Sequence, residues 1–265
     1  SENRKLFWFV KFSAYLCNVK NNKEEHSKEE VKQRIISAAL EQFRKQGIKE
    51  KDQNKSIDVS SLVGMNYIKT KNVKEYHVLL DNDKWTIPVV GYIYKKSNAI
   101  VTDLYKAPIL LITGGTKKVL HAVAAICYND GVFKSSITGI KGFGEDAIPV
   151  LRNMQALLNS NFFSYYNLLT FSSSGIEREE THDDEKLNIP YCDGLSDLVA
   201  NMEKLMKKHY ASTLIEDTLQ TEISKQNNTI ENLIYDRLNC ADYEIDLVDY
   251  AKTISIPLAT KCSGY

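Results

Sequence analysis

The sequence has no uninterrupted apolar run approaching the roughly 20 residues that a membrane-spanning helix needs, and no secretory leader is recognisable at its start. A cytoplasmic location is therefore expected. Its five cysteines, Cys17, Cys127, Cys192, Cys240 and Cys262, are scattered and odd in number. Without a Cys-x-x-Cys pair they suit neither a disulfide framework nor a zinc site, and reduced thiols are expected. The five histidines are equally dispersed, with no His-x-x-x-His pair and no nucleophile partner, so triad or metal hydrolysis has little support. A net charge is also lacking, because 34 basic residues balance 34 acidic ones. Attraction to nucleic acid must then come from local segregation of charge.

Such segregation is visible along the chain. Lys95, Lys96, Lys106, Lys117, Lys118, Lys134 and Lys141 accumulate with few acids between them, while acids cluster at 177–185 and 242–249. The bland account of these lysines is that they solvate strand ends. With 43% hydrophobic residues in 265, the chain can bury a good core as one large domain or two smaller ones.

Three parts are legible. Residues 1–107 open with Leu6-Phe-Trp-Phe-Val10, a strand or the start of a helix through Val19, and a beginning inside an element suggests an excised piece. A charged helical stretch near Val31, Ile35, Ala38, Ala39 and Phe43 is expected to stop at Gly47. Short β-rich pieces come next, among them Trp85-Thr-Ile-Pro-Val-Val90 and Tyr92-Ile-Tyr94, which should add strands to a central sheet. Gly64-Met-Asn-Tyr67 is either a contact loop or a cover over the core.

Residues 108–192 form the second part. Pro108-Ile-Leu-Leu-Ile112 reads as a buried strand, broken at Thr113-Gly-Gly-Thr-Lys-Lys118 by a tight polar turn. A second strand is expected over Val119 to Cys127, then the Asn129-Asp130-Gly131 turn and a short strand around Val132, continued by Lys134-Ser-Ser-Ile-Thr-Gly-Ile-Lys-Gly142. A helical pattern runs from Asp146 to about Tyr166, with Ile148, Leu151, Met154, Leu157 and Leu158 on one face. Phe171-Ser-Ser-Ser-Gly175 interrupts it before Glu177-Arg178-Glu179.

Residues 193–265 read as helical. Leu195, Leu198, Val199, Met202, Leu205 and Met206 make one apolar stripe after Asp193-Gly194, in a helix that extends toward Ser224. Lys204, Lys207 and Lys208 lie on its polar face, either along a phosphate backbone or facing water. Asn227-Asn228-Thr229 reads as a break and N-cap before a helix carrying Leu233, Ile234 and Leu238. The expected fold class is α+β: a mixed, mostly antiparallel sheet with packed helices and a helical C-terminal part.

Four pieces of the middle part occur in a telling order: Ile112-Thr-Gly-Gly with its lysines, Phe133-Lys-Ser-Ser-Ile-Thr-Gly-Ile-Lys141, the helix with Ala156-Leu-Leu-Asn-Ser160, and Ser172-Ser-Ser-Gly-Ile-Glu-Arg-Glu179 leading to Ile189-Pro190. In this order the block resembles the target-recognition domain of bacterial restriction-modification DNA methyltransferases of the adenine-N6 type. Ile230-Glu-Asn-Leu-Ile-Tyr-Asp-Arg-Leu238 and Tyr243-Glu-Ile-Asp-Leu-Val248 resemble the closing helices of the same enzymes. The resemblance covers about a third of the chain.

It implies a module that reads double-stranded DNA for a catalytic domain, present in cis or in trans, that binds S-adenosylmethionine. Neither the glycine turn for that cofactor nor the two-proline loop for a flipped base is found in this sequence. Asn188-Ile189-Pro190-Tyr191 lacks the first proline and reads as the end of the recognition core. No cofactor, metal or catalytic residue is therefore assigned to this chain. Lys117, Lys118, Lys134 and Lys141 are the phosphate candidates, while Ser172, Ser173, Ser174 and Arg178 are candidates for base edges. Glu177, Glu179 and Glu180 offer Arg178 a structural ion pair instead.

Other classes compete. A nuclease needs carboxylates and a lysine converging on Mg2+, for which Glu30-Val31-Lys32 and Asp183-Asp184-Glu185 are the nearest candidates. A specificity subunit acting in trans should show two repeats, and no clear repeat is found. A protein-interaction domain without a DNA role should carry uniformly mixed surface charge.

Overall fold

The apolar run after Pro108 lies in the core. In the computed structural model, which describes residues 45–46, 49–50, 62–86, 93–94, 102–113, 122–133, 136–170, 190–212 and 216–255, it forms one of ten strands. These are β1 Lys45–Gln46, β2 Lys49–Glu50, β3 Asn66–Ile68, β4 Val73–Lys74, β5 His77–Val78, β6 Ile93–Tyr94, β7 Ile109–Thr113, β8 Ala124–Cys127, β9 Gly131–Phe133 and β10 Ile137–Lys141. Five helices complete the described chain: α1 Ala147–Leu158, α2 Asn161–Thr170, α3 Ser196–Ala211, α4 Asp217–Arg237 and α5 Asp242–Tyr250, the last running into a π turn at Ala251–Ser255. The fold is α+β, and residues Phe43–Tyr265 make one compact unit.

The main sheet has the order β1-β10-β7-β8, antiparallel throughout. Every residue of β7, β8 and β10 is buried, so both faces of the sheet are covered. Alternation divides the side chains. Ile109, Leu111, Ala125, Cys127 and Ile137 join Leu62, Ile68, Val73, Trp85, Leu104, Tyr105 and Phe133 in one core. Leu110, Ile112, Ala124, Ile126 and Ile140 point to the other face, where α1 lies against β7 and β8. Leu62, Ile68, Val73 and Trp85 thus share a core with the strands after residue 107, but the pieces expected to extend the central sheet do not: Trp85 and Thr86 are not strand, and Ile93–Tyr94 pairs with β2 in a sheet of its own.

Two glycines are there because backbones and rings come close. A Cβ on Gly139 would run into the ring of Phe133, and one on Gly131 would stand 2.6 Å from Ile68 Cδ1. The second contact marks the one parallel pair among the described strands, β3 with β9, aligned as Asn66 to Gly131, Tyr67 to Val132 and Ile68 to Phe133. Tyr67 also leans on Trp85 with ring centroids 5.5 Å apart. Gly64-Met-Asn-Tyr67 is therefore split in use: Gly64 turns the chain at φ 84°, and Asn66 and Tyr67 are strand.

Several elements differ from the pattern in the sequence. The helix expected from Asp146 to Tyr166 is two helices, parted at Asn159-Ser160. Ser160 Oγ accepts the Phe163 N–H at 3.0 Å as the cap of α2, and Asn159 turns its side chain to the sheet. Pro149 is tolerated because it lies in the first turn of α1, where amides have no helical partner.

Asn227-Asn228-Thr229 is not a break, since α4 runs through it from Asp217 to Arg237. Thr229 returns its hydroxyl to Lys225 O at 3.0 Å, as Thr221 does to Asp217 O at 2.9 Å and Ser224 to Gln220 O at 2.9 Å. Burial of Ile230 and Ile234 then holds the continuous helix. The helix before it does not reach Ser224 but ends at Ala211.

The helix expected to stop at Gly47 does not include Lys45 and Gln46, which pair instead with Gly139 and Thr138 at the free edge of β10. The rest of that stretch lies outside the described residues. The helices read at 230–238 and 243–248 are present, as parts of α4 and α5. Asn239, at φ 52°, ends α4 in the left-handed conformation, with Cys240 N donating to Tyr235 O and Asn239 N to Asp236 O.

Candidate nucleic-acid interface

The ends of the strands decide where basic loops can meet. Thr113, the last residue of β7, pairs with Ile137, the first of β10, and Ile112 pairs with Ala124, the first of β8. The chain segments 114–121 and 134–135 are therefore attached at one end of the main sheet. Lys117, Lys118 and Lys134 fall within these segments, outside the described residues, as do Ser172, Ser173, Ser174 and Arg178. The described chain leaves α2 at Thr170 and returns at Pro190.

The parallel pair adds a second basic run at this end. Because Ile68 lies beside Phe133, Lys69-Thr70-Lys71 continues β3 next to the point where the described chain leaves β9, and Ser136 is where it resumes. Thr70 Oγ1 and Ser136 Oγ meet at 2.8 Å. Thr70 and Lys71 are exposed. Lys69 Nζ donates to Asp83 Oδ2 at 2.5 Å, and this hydrogen bond holds the ammonium above its ordinary pKa and the carboxylate below its own. Asp81 adds a weaker attraction. Lys69 and Lys71 are not among the residues expected at this edge; their signal in the sequence is a Lys-Thr-Lys run directly after Ile68.

Lys141 stands apart from this group. It pairs with Ile109 at the opposite end of β10 from Ile137, four residue steps or roughly 13 Å away. Its side chain is 8% exposed. Its Nζ donates to Lys106 O and Ala107 O, both at 2.7 Å, and lies 6.0 Å from the centre of the Phe143 ring. The carbonyls belong to the loop entering β7, across a cis peptide between Ala107 and Pro108. Here the lysine ties that loop to the sheet, and it does not converge with the strand ends that carry the other lysines.

The same face is braced from the side. Lys84 Nζ donates to Asn66 Oδ1 at 2.8 Å, Asn66 Nδ2 to Asp130 O at 3.0 Å, and Ala107 N to Asp130 Oδ1 at 2.8 Å. These bonds fix the start of β3 against the β8-to-β9 turn.

A second polar cluster joins the sheet to the helices. Glu203 on α3 accepts from Tyr128 OH at 2.8 Å and from Arg152 Nη2 at 3.0 Å, and Arg152 Nη2 also reaches Tyr128 OH at 3.1 Å. Burial raises the Glu203 pKa even though Tyr128 and Arg152 pull it down. Burial also raises Tyr128, with the Glu203 charge adding to it. With each group satisfied by another, the trio acts as a brace between the turn after β8, α1 and α3.

Deeper still, Asn159 completes the edge of β8. Its Oδ1 accepts Ala124 N at 2.9 Å and its Nδ2 donates to Ala124 O at 2.8 Å, reproducing a strand partner with one amide. Glu231 Oε1 accepts Asn161 N at 2.7 Å, placing a buried carboxylate at the positive end of α2. Asn153 binds Tyr191 OH and the Leu195 amide, docking the chain that enters α3. Cys127 and Cys192 are buried thiols, and burial pushes Cys192 up to about 12.

Among the described residues no group of three His, Cys, Asp or Glu converges as metal ligands, and no helix is long and apolar enough to cross a membrane. Glu30, Lys32, Asp183, Asp184 and Glu185 lie outside those residues. No protein-family model and no curated protein matches the sequence.

Proposed function

We propose that this chain is a double-stranded DNA recognition module of a restriction-modification adenine-N6 methyltransferase, with S-adenosylmethionine and the methylating residues on a catalytic domain acting in cis or in trans. The observation that carries the proposal is the parallel register of β3 and β9. It brings Lys69-Thr70-Lys71 to the sheet end where the chain segments 134–135 and 114–121, whose sequences hold Lys134, Lys117 and Lys118, are attached. Hydroxyls and lysines concentrated on one edge suit phosphate contacts, which supply affinity and salt dependence. Base choice falls to Ser172, Ser173, Ser174 and Arg178, on the segment between α2 and α3. The order of motifs across residues 112–190 supports the methyltransferase assignment.

Asp83, which engages Lys69, and Asp81 favour a second reading, a protein-docking domain without a DNA role. The two part on one titration. Duplex DNA of mixed sequence should bind the chain weakly and with strong salt dependence. A Lys117→Ala/Lys118→Ala variant and, separately, Lys71→Glu should weaken binding to all sequences and lower the salt slope by about one per lost phosphate contact. Absence of binding at low salt, or binding untouched by both variants, would leave the docking domain as the better account.

A further inference from the structure

The C-terminal helix carries an apolar stripe turned away from the core. Tyr243, Leu247, Tyr250 and Ile254 are 53%, 43%, 58% and 44% exposed. At about 100° per residue their directions fall within about 60° of one another, so they form one line along α5 and the π turn. The buried side of the helix is a different set, Glu244, Val248 and Ala251, and it faces α2. Exposed Asp242, Asp246 and Asp249 accompany the stripe along one flank.

We propose that this stripe is a docking site for a protein helix or edge that presents leucine-like side chains beside a row of lysines or arginines. The charge pattern selects that occupant. Three aspartates repel a phosphate backbone and an anionic membrane alike. A second copy of the same face packed with the helices antiparallel would set aspartate rows together. The stripe amounts to a few hundred Å2 of apolar surface, short of the roughly 800 Å2 per partner of a standard interface. It therefore serves as the anchor of a contact completed by the acidic flank. Nothing in this site depends on the DNA-binding proposal, and its residues take no part in the basic strand ends.

The test uses the full chain and a synthetic amphipathic helix with leucines at i, i+4, i+7 and i+11 flanked by lysines, beside the same peptide with glutamates for lysines. The lysine peptide should bind and the glutamate peptide should bind at least about tenfold more weakly. Leu247→Glu/Tyr250→Glu should weaken the lysine peptide by about tenfold or more, the factor expected from losing one buried leucine contact. Asp242→Asn/Asp246→Asn/Asp249→Asn should weaken it and reduce its salt dependence while leaving the apolar stripe intact. Duplex DNA binding of the same variants should be unchanged, which separates this site from the proposed DNA face. Equal binding of both peptides, no binding of either, stripe-dependent capture of anionic phosphatidylserine vesicles, or a concentration-dependent dimer lost in Leu247→Glu/Tyr250→Glu would each overturn the proposal.

Discussion

β7 and the first half of α4 are held by opposite means. All five residues of β7 are buried, and its neighbours β8 and β10 flank it within a sheet whose two faces are both covered. From Asp217 to Thr229, by contrast, no residue of α4 is buried. Its hydroxyls bind carbonyls one turn back, Gln226 reaches across to Leu198 O at 2.7 Å, and Ile230 and Ile234 anchor the second half of the helix. A strand of this kind is fixed by everything around it, whereas a helix of this kind is carried by its own ladder and one buried end.

That contrast predicts a gradient of mutational cost. Gly139→Val on β10 should cost the most, about 3 kcal/mol or more, because the new side chain must displace the Phe133 ring within a closed core. Urea unfolding measures it, and a loss below about 1 kcal/mol would mean that the core has slack which β7 and its neighbours do not show. Asn159→Ala should cost about 2–3 kcal/mol, since the buried Ala124 N–H loses its partner. Retained stability there would show that Tyr76, in the turn between β4 and β5, holds the β8 edge without help from the amide through its N–H, which donates to Ala124 O at 3.1 Å. Asn228→Ala, exposed in mid-helix, should leave stability within about 0.7 kcal/mol and on the favourable side. A large loss would restore the helix break read from Asn227-Asn228-Thr229.

The elements legible from sequence are those whose partners need not be known. Leu110, Leu111 and Ile112 read as a buried strand from the shortness of the run and its bounding Pro108 and Gly114, without knowledge of their neighbours. The stripe of Leu195, Leu198, Val199, Met202, Leu205 and Met206 marks α3 in the same way: four of the six are buried, and Leu198 and Leu205 are half-buried. Where local signals misled, a distant group had the last word. Apolar periodicity runs through Asn159-Ser160, yet Asn159 is drawn out of the helix by Ala124, 35 residues away. Three polar residues at 227–229 resemble a turn, yet Ile230 and Ile234 find a buried seat and the helix continues.

The basic edge shows the same limit. Lysines at strand ends are visible in the sequence, but which ends coincide depends on register. Lys141 groups with Lys134 by sequence proximity, yet Lys141 lies at the far end of β10 from Ile137, the end at which segment 134–135 is attached. Lys69 and Lys71 escape notice because β3 and β9 pair across more than sixty residues, in a parallel direction that no local turn announces.

The amino-acid order by itself determined the apolar strand after Pro108, the amphipathic helix after Gly194 and the overall α+β character, because hydrophobic spacing and turn residues act within a few positions. Tertiary structure alone decided that β3 runs parallel to β9, that Asn159 serves as a strand edge, that Lys141 ties down a loop, and that Tyr243, Leu247 and Tyr250 remain on the surface. Each of these depends on a hydrogen bond or a packing surface supplied by a distant segment, and such partners are chosen only when the whole chain closes on its core.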